Sequence, residues 1–140
     1  MKLKGTKTAE NLLKSFAGES QANRRYTYYA KVARKQGYIQ IADIFEETAD
    51  QESMHAKRFF SFLNEDKELQ GEMLGITAEY PVALYEETLD NLKAAAAGEN
   101  EEWTDLYPEF AKVAREEGFG AIAAAYDKIA EVEARHEKRY

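Results

Sequence analysis

The sequence predicts an all-α fold: a four-helix bundle made of two copies of one helical hairpin, with a long crossover between helices 2 and 3. Three observations predict it. Apolar residues recur at helical spacing in four segments. The second half of the chain repeats the first. Punctuation is sparse, with 8 Gly and 2 Pro in 140 residues, too little for the turns of a sheet-rich fold.

The elements follow in order. Residues 1–7 read as a polar lead, and Thr8 as the N-cap of the first helix, with Glu10 in its first turn. Leu12, Phe16, Ala22, Tyr26, Tyr29 and Ala33 mark its apolar face, and Gly37 suits the position just past its end. The second helix starts near Tyr38 and carries Ile41, Phe45, Glu52, His55, Phe59 and Phe62 on one face. Residues 65–80 read as a linker, too long for a simple helix–helix turn and long enough to cross the bundle from end to end. Pro81 suits the first position of the third helix, which runs to Gly118 with Pro108 inside it. The fourth helix starts near Phe119 and is still periodic at Tyr140. That ending suggests either that the natural chain continues or that the helix end is buried in an assembly. One domain over residues 1–140 is expected, with hairpins at about 8–64 and 81–140.

The repeat is explicit. Tyr29-Ala-Lys-Val-Ala-Arg-Lys-Gln-Gly37 aligns with Phe110-Ala-Lys-Val-Ala-Arg-Glu-Glu-Gly118, an offset of 118 − 37 = 81. The same offset pairs Glu52 with Glu133 and His55 with His136. Glu19 pairs with Glu99 at 99 − 19 = 80, so one residue is gained between Glu99 and Tyr107. A π-bulge accommodates one extra residue in a helix, and such bulges are frequent at functional sites.

Composition narrows the chemistry. The net charge of −7 argues against a nucleic-acid partner, and Arg24-Arg25 reads as a solvated helix face. The pairs Glu46-Glu47, Glu86-Glu87 and Glu116-Glu117 read the same way. The absence of cysteine excludes disulfides, thiolate metal sites and cysteine catalysis. The N-terminus has no apolar signal region, and no run approaches a membrane span. A cytoplasmic protein without a membrane partner is the expectation.

Six side chains stand out: Glu19, Glu52, His55, Glu99, Glu133 and His136. Glu19 shares an apolar face with Leu12, Phe16 and Tyr26, and each Glu-x-x-His puts both side chains on one face. A lone Glu-x-x-His arises easily by chance among 26 acidic residues. The doubled motif, each copy with an upstream Glu in register, does not. Four carboxylates aimed at a bundle axis are prohibitive when unpaired, since each buried charge costs several kcal/mol. Metal cations remove that objection. The set matches a known one, in which di-iron and di-manganese bundles take a Glu from each of two helices and Glu-x-x-His from the other two. Carboxylates with one imidazole per ion suit Fe or Mn better than Zn. Two Fe or two Mn ions are therefore expected, with Zn possible as a substitute.

Three further residues have two readings each. Glu102 lies one turn past Glu99 and has Gln21 as its rough equivalent, so a ligand and a solvated Glu both fit. Tyr26 and Tyr107 are repeat mates, and both packing and hydrogen-bond donation to a ligand or a bound oxygen species fit them.

At these residues the chain resembles rubrerythrin, a non-haem di-iron family of the ferritin-like superfamily, over nearly its whole length. The most specific segments are Gly5-Thr-Lys-Thr-Ala-Glu-Asn11, Gly18-Glu-Ser20, Ala22-Asn-Arg-Arg-Tyr26, Asn91-Leu-Lys-Ala-Ala-Ala-Ala-Gly-Glu99, Tyr107-Pro-Glu-Phe-Ala111 and His136-Glu-Lys-Arg-Tyr140. The resemblance implies a ferritin-like bundle with Glu19 and Glu99 as terminal ligands and Glu52 and Glu133 as bridges. It implies that His136 joins Glu99 on one iron, and that the other iron exchanges Glu102 for His55 between oxidised and reduced states. It implies reduction of hydrogen peroxide to water, in defence against oxidative stress, by an enzyme that forms a homodimer. Typical members add a four-cysteine rubredoxin-like domain, which this chain lacks. Electrons are then expected from a separate donor such as a rubredoxin or a reductase, or from such a domain where the natural chain continues into one. The alternative is a ferroxidase, an iron-handling protein of ferritin type. The long crossover also permits exchange of helices between subunits.

Overall fold

Two turns built on the same glycine conformation give the chain its repeat. A computed structural model describes all 140 residues, Met1–Tyr140. Helix α1 covers Lys7–Lys35 and α2 covers Ile39–Glu65. Between them Gly37 takes φ 88, and Tyr38 N–H donates to the Ala33 carbonyl at 2.8 Å. That is a Schellman end, in which a residue without Cβ enters the left-handed region at little cost. Helix α3 covers Thr88–Glu101, α4 covers Tyr107–Glu116 and α5 covers Gly120–Arg139. Before α5, Gly118 repeats φ 88 and Phe119 N–H donates to the Ala114 carbonyl at 2.7 Å. Helices α1 and α2 pair as one hairpin, and the α3–α4 rod pairs with α5 as the other. The rod also packs on α1, and α5 meets α2, closing a ferritin-like four-helix bundle.

The residue gained in the second half appears as a π-turn at Glu102–Leu106, between α3 and α4. Pro108 follows it at the start of α4, where its missing N–H costs least. The rod therefore runs on through the insertion as one helical element.

The structure corrects several boundaries. Thr6, not Thr8, caps α1: its hydroxyl accepts from Ala9 N–H at 3.1 Å. Thr8 N–H instead donates to Glu117 at 2.8 Å, so one member of an expected solvated pair binds a first-turn amide of α1. Glu46 and Glu47 likewise form ion pairs, with Arg34 at 2.8 Å and Arg139 at 3.1 Å. The polar lead buries Leu3 completely, because Asp66 accepts from Leu3 N–H at 2.7 Å and Lys4 N–H at 2.8 Å.

The crossover runs from 66 to 87, longer than the expected 65–80, and Pro81 lies within it rather than at the start of a helix. Tertiary hydrogen bonds hold it there. Buried Asn91 accepts from Tyr85 N–H at 2.8 Å and donates to the Tyr85 carbonyl at 3.0 Å. Tyr29 Oη donates to the Ala83 carbonyl at 2.5 Å, and Thr88 N–H to Gln36 at 2.9 Å. These side-chain bonds take up backbone groups of Ala83 and Tyr85 that a helix would otherwise pair.

Two apolar clusters divide the core. One gathers Leu12, Phe59, Tyr107, Ile122 and Tyr126; the other gathers Tyr26, Tyr29, Ala33, Phe45 and Ala49. Between them lies a layer of buried acids. No helix is long and apolar enough to cross a membrane.

Candidate metal centre

Each helix of the bundle brings one carboxylate to that layer. Glu19 comes from α1, Glu52 from α2, Glu99 from α3 and Glu133 from α5, each at most 1% exposed. His55 and His136 follow one turn after Glu52 and Glu133, on the same faces. The donor atoms form two quartets, each within 4.8 Å: Glu19, Glu52, His55, Glu133, and Glu52, Glu99, Glu133, His136. The quartets share Glu52 and Glu133, as two adjoining cation positions with common bridges would require.

Distances and orphaned atoms test whether cations fit. His55 Nδ1 stands 3.0 Å from Glu133, 3.6 Å from Glu19 and 3.8 Å from Glu52. His136 Nδ1 stands 3.1 Å from Glu52, 3.5 Å from Glu99 and 3.6 Å from Glu133. Ligands held ~2.1 Å from one ion stand ~3.0–3.4 Å apart. Both oxygens of Glu52 and Glu133, one oxygen each of Glu19 and Glu99, and Nδ1 of both histidines are buried without a hydrogen-bond partner. Unpaired buried polar atoms are rare in native proteins because each costs its full desolvation. Eight in one layer fit a pair of hard, oxygen-loving cations.

The supporting contacts follow the repeat. Tyr26 Oη donates to Glu99 at 2.6 Å, and Tyr107 Oη to Glu19 at 2.5 Å. Each tyrosine thus crosses to the other hairpin, and of its two readings the hydrogen-bonding one is realised within a packed ring cluster. The π-turn sets the second of these contacts, since it lies between Glu99 and Tyr107.

One support breaks the symmetry. His136 Nε2 is hydrogen-bonded to Gln51 Oε1, so Nε2 carries the proton and Nδ1 faces the carboxylates. The repeat mate of Gln51 is Val132, which cannot bond the His55 ring. His55 is also the more exposed of the two, at 13% against 3%. Gln51 belongs to no motif; only its place beside Glu52 could have drawn notice.

Glu102 belongs to neither quartet, yet its Oε2 is buried and unpaired. Burial, then repulsion from Glu19, holds its carboxyl well above the usual range. Burial and Glu133 push Glu19 up to about 7. Burial disfavours the charged His55 ring, but Glu133 and Glu19 outweigh it and raise the imidazole to about 10. Burial also holds Tyr26 and Tyr107 well above their usual range, so both stay protonated as donors.

Relatives carry the same architecture. A profile of the Rubrerythrin family matches residues 10–140. Rubrerythrin of Porphyromonas gingivalis is 61% identical over 138 residues, which cover 99% of this chain and 66% of that protein. Rubrerythrin-1 of Clostridium acetobutylicum is 63% identical over 139 residues, 99% of this chain and 70% of its own length. The chain thus spans about two thirds of the length of these relatives. Nigerythrin in its fully reduced, all-ferrous state superposes with a TM-score of 0.81 at 35% identity, covering 99% of this chain and 68% of that one. With its site built from all four helices and its length matched from end to end by such relatives, the chain belongs to the rubrerythrin family.

Proposed function

We propose that the chain is the di-iron portion of an oxidoreductase that reduces hydrogen peroxide to water with electrons from a separate donor. Glu19 and His55 would hold one iron, Glu99 and His136 the other, and Glu52 and Glu133 would bridge them. A pair of ferrous ions supplies the two electrons that one O–O bond takes up. The balance is one peroxide, two protons and two electrons in, and two waters out.

The observation that supports this reading most is the pair of quartets with a spare buried carboxyl beside them. Burial raises the Glu102 carboxyl well above the usual range, which favours its acid form and suits it to deliver a proton to a departing oxygen. His55, with no partner for its far nitrogen, is the ligand free to swing. The arrangement has His55 at the site and Glu102 outside it. Tyr26 and Tyr107 keep Glu99 and Glu19 oriented and keep their own protons.

The test is stopped-flow oxidation of the ferrous-loaded protein by peroxide and by O₂. Faster oxidation by peroxide, followed by re-reduction by rubredoxin or a reductase, supports the reading. Preference for O₂, with ferric mineral accumulating, would replace it with the ferroxidase alternative.

A further inference from the structure

The repeat gives the bundle two equivalent glycines, and the crossover treats them differently. Gly18 and Gly98 each precede a terminal glutamate and are related by the same offset as Glu19 and Glu99. At Gly18 the crossover lays the Tyr80 ring against the backbone, 3.4 Å from where a Cβ would stand. Tyr80 Oη donates to the Lys14 carbonyl at 2.8 Å, fixing the ring over that position. At Gly98 no atom lies within 4 Å of a Cβ. A glycine inside a helix is destabilising relative to alanine, and close packing does not explain this one.

What lies beside Gly98 is a cavity of about 30 Å³ between α1, α3 and the crossover. Arg25 and Tyr29 line it from α1, Ala94 and Gly98 from α3, and Pro81 from the crossover. Glu102, with its buried and unpaired Oε2, lines it too. A single water needs roughly 10–15 Å³ of such space, so the cavity has room for about two waters or one peroxide.

We propose that this cavity is an admission chamber for the oxidant: a peroxide-sized molecule enters beneath the crossover past Gly98 and meets Glu102, while Tyr80 closes the mate position at Gly18. The proposal deepens the peroxide reading and rests on it. It gives Gly98 a specificity role, because the missing side chain sets the width of the path. It also explains why the buried, unpaired carboxyl of Glu102 has no counterpart beneath Tyr80 in the first half.

The chain's lack of cysteine makes the test direct. Gly98→Cys and, as control, Ala97→Cys on the exposed side of α3 each add a single thiol. Both iron-loaded variants are treated with methyl methanethiosulfonate, which adds only S–CH₃. The Gly98→Cys thiol is expected to react, and the label to slow peroxide oxidation of the ferrous protein tenfold or more with iron content unchanged. The labelled Ala97→Cys protein is expected to keep its rate. A Gly98→Cys thiol that does not react, or a label that changes the rate less than twofold, overturns the proposal. If the unlabelled protein reduces no peroxide, the peroxide reading fails separately. The chamber is then judged by the on-rate of azide to the oxidised iron, read by visible absorption. Slowing by the label sustains the chamber and an unchanged rate refutes it.

Discussion

His55 and His136 are repeat mates, yet only His136 has a neighbour that holds its second nitrogen. Partners of this kind orient a ligand and tune its basicity, and losing one typically costs about 10–100-fold in metal affinity. Gln51→Leu is therefore expected to weaken one of two iron-binding steps by about that factor, measured by chelator competition. Two unchanged steps would mean that the Gln51 contact orients nothing. Glu102 makes a different prediction, because it stands outside both quartets. Glu102→Ala is expected to keep two irons per chain while slowing peroxide oxidation on the order of 10²-fold, the lower range for a lost general acid. A rate equal to that of the parent protein would leave Glu102 no part in proton delivery.

The π-turn at Glu102–Leu106 is the element on which the second half depends. One inserted residue turns everything after it by about 100° relative to an unbroken α-helix. Tyr107 reaches Glu19 across the bundle in that register. Deleting exposed Asp105 is expected to leave helix content near the parent value by circular dichroism but to drop iron below two per chain. Retention of two irons would show that the register can be set without the turn. At the end of α2, Asp66 ties the lead to the crossover by accepting backbone N–H bonds from Lys4, Glu68 and Leu3. Those bonds hold its carboxyl below the usual range. A depressed native pKa stabilises above the unfolded value of about 3.9 and is lost as pH falls through the native one. Asp66→Asn is expected to flatten the acid limb of stability and to change neutral-pH behaviour through the altered bonds alone. An acid limb as steep as the parent's would count against this.

The repeat and its one-residue slip were legible because both are relations between residues, readable without coordinates. The crossover's true end was not. It depends on Asn91 and Gln36 bonding backbone far away in sequence, which no local periodicity records. Glu117 and Gln51 were missed for the same reason: a polar side chain's partner is set by packing, whereas an apolar stripe declares its own face. Leu84 and Leu89 show the reverse case, apolar residues that stand 59% and 62% exposed. Fully exposed Val82 and half-exposed Tyr85 lie in the same stretch, so the crossover's end carries exposed apolar surface. Burial of that surface in a homodimer is the expected outcome by light scattering. A monomer at all concentrations would contradict it. On the di-iron reading, the bundle as a whole rests on four inward carboxylates that two cations would make tolerable. Anomalous scattering at the iron edge, on crystals of iron-loaded protein, tests this most directly. Two peaks per chain are expected, flanking the Glu52–Glu133 pair. No peak there, or one peak elsewhere with those acids turned to solvent, would contradict it.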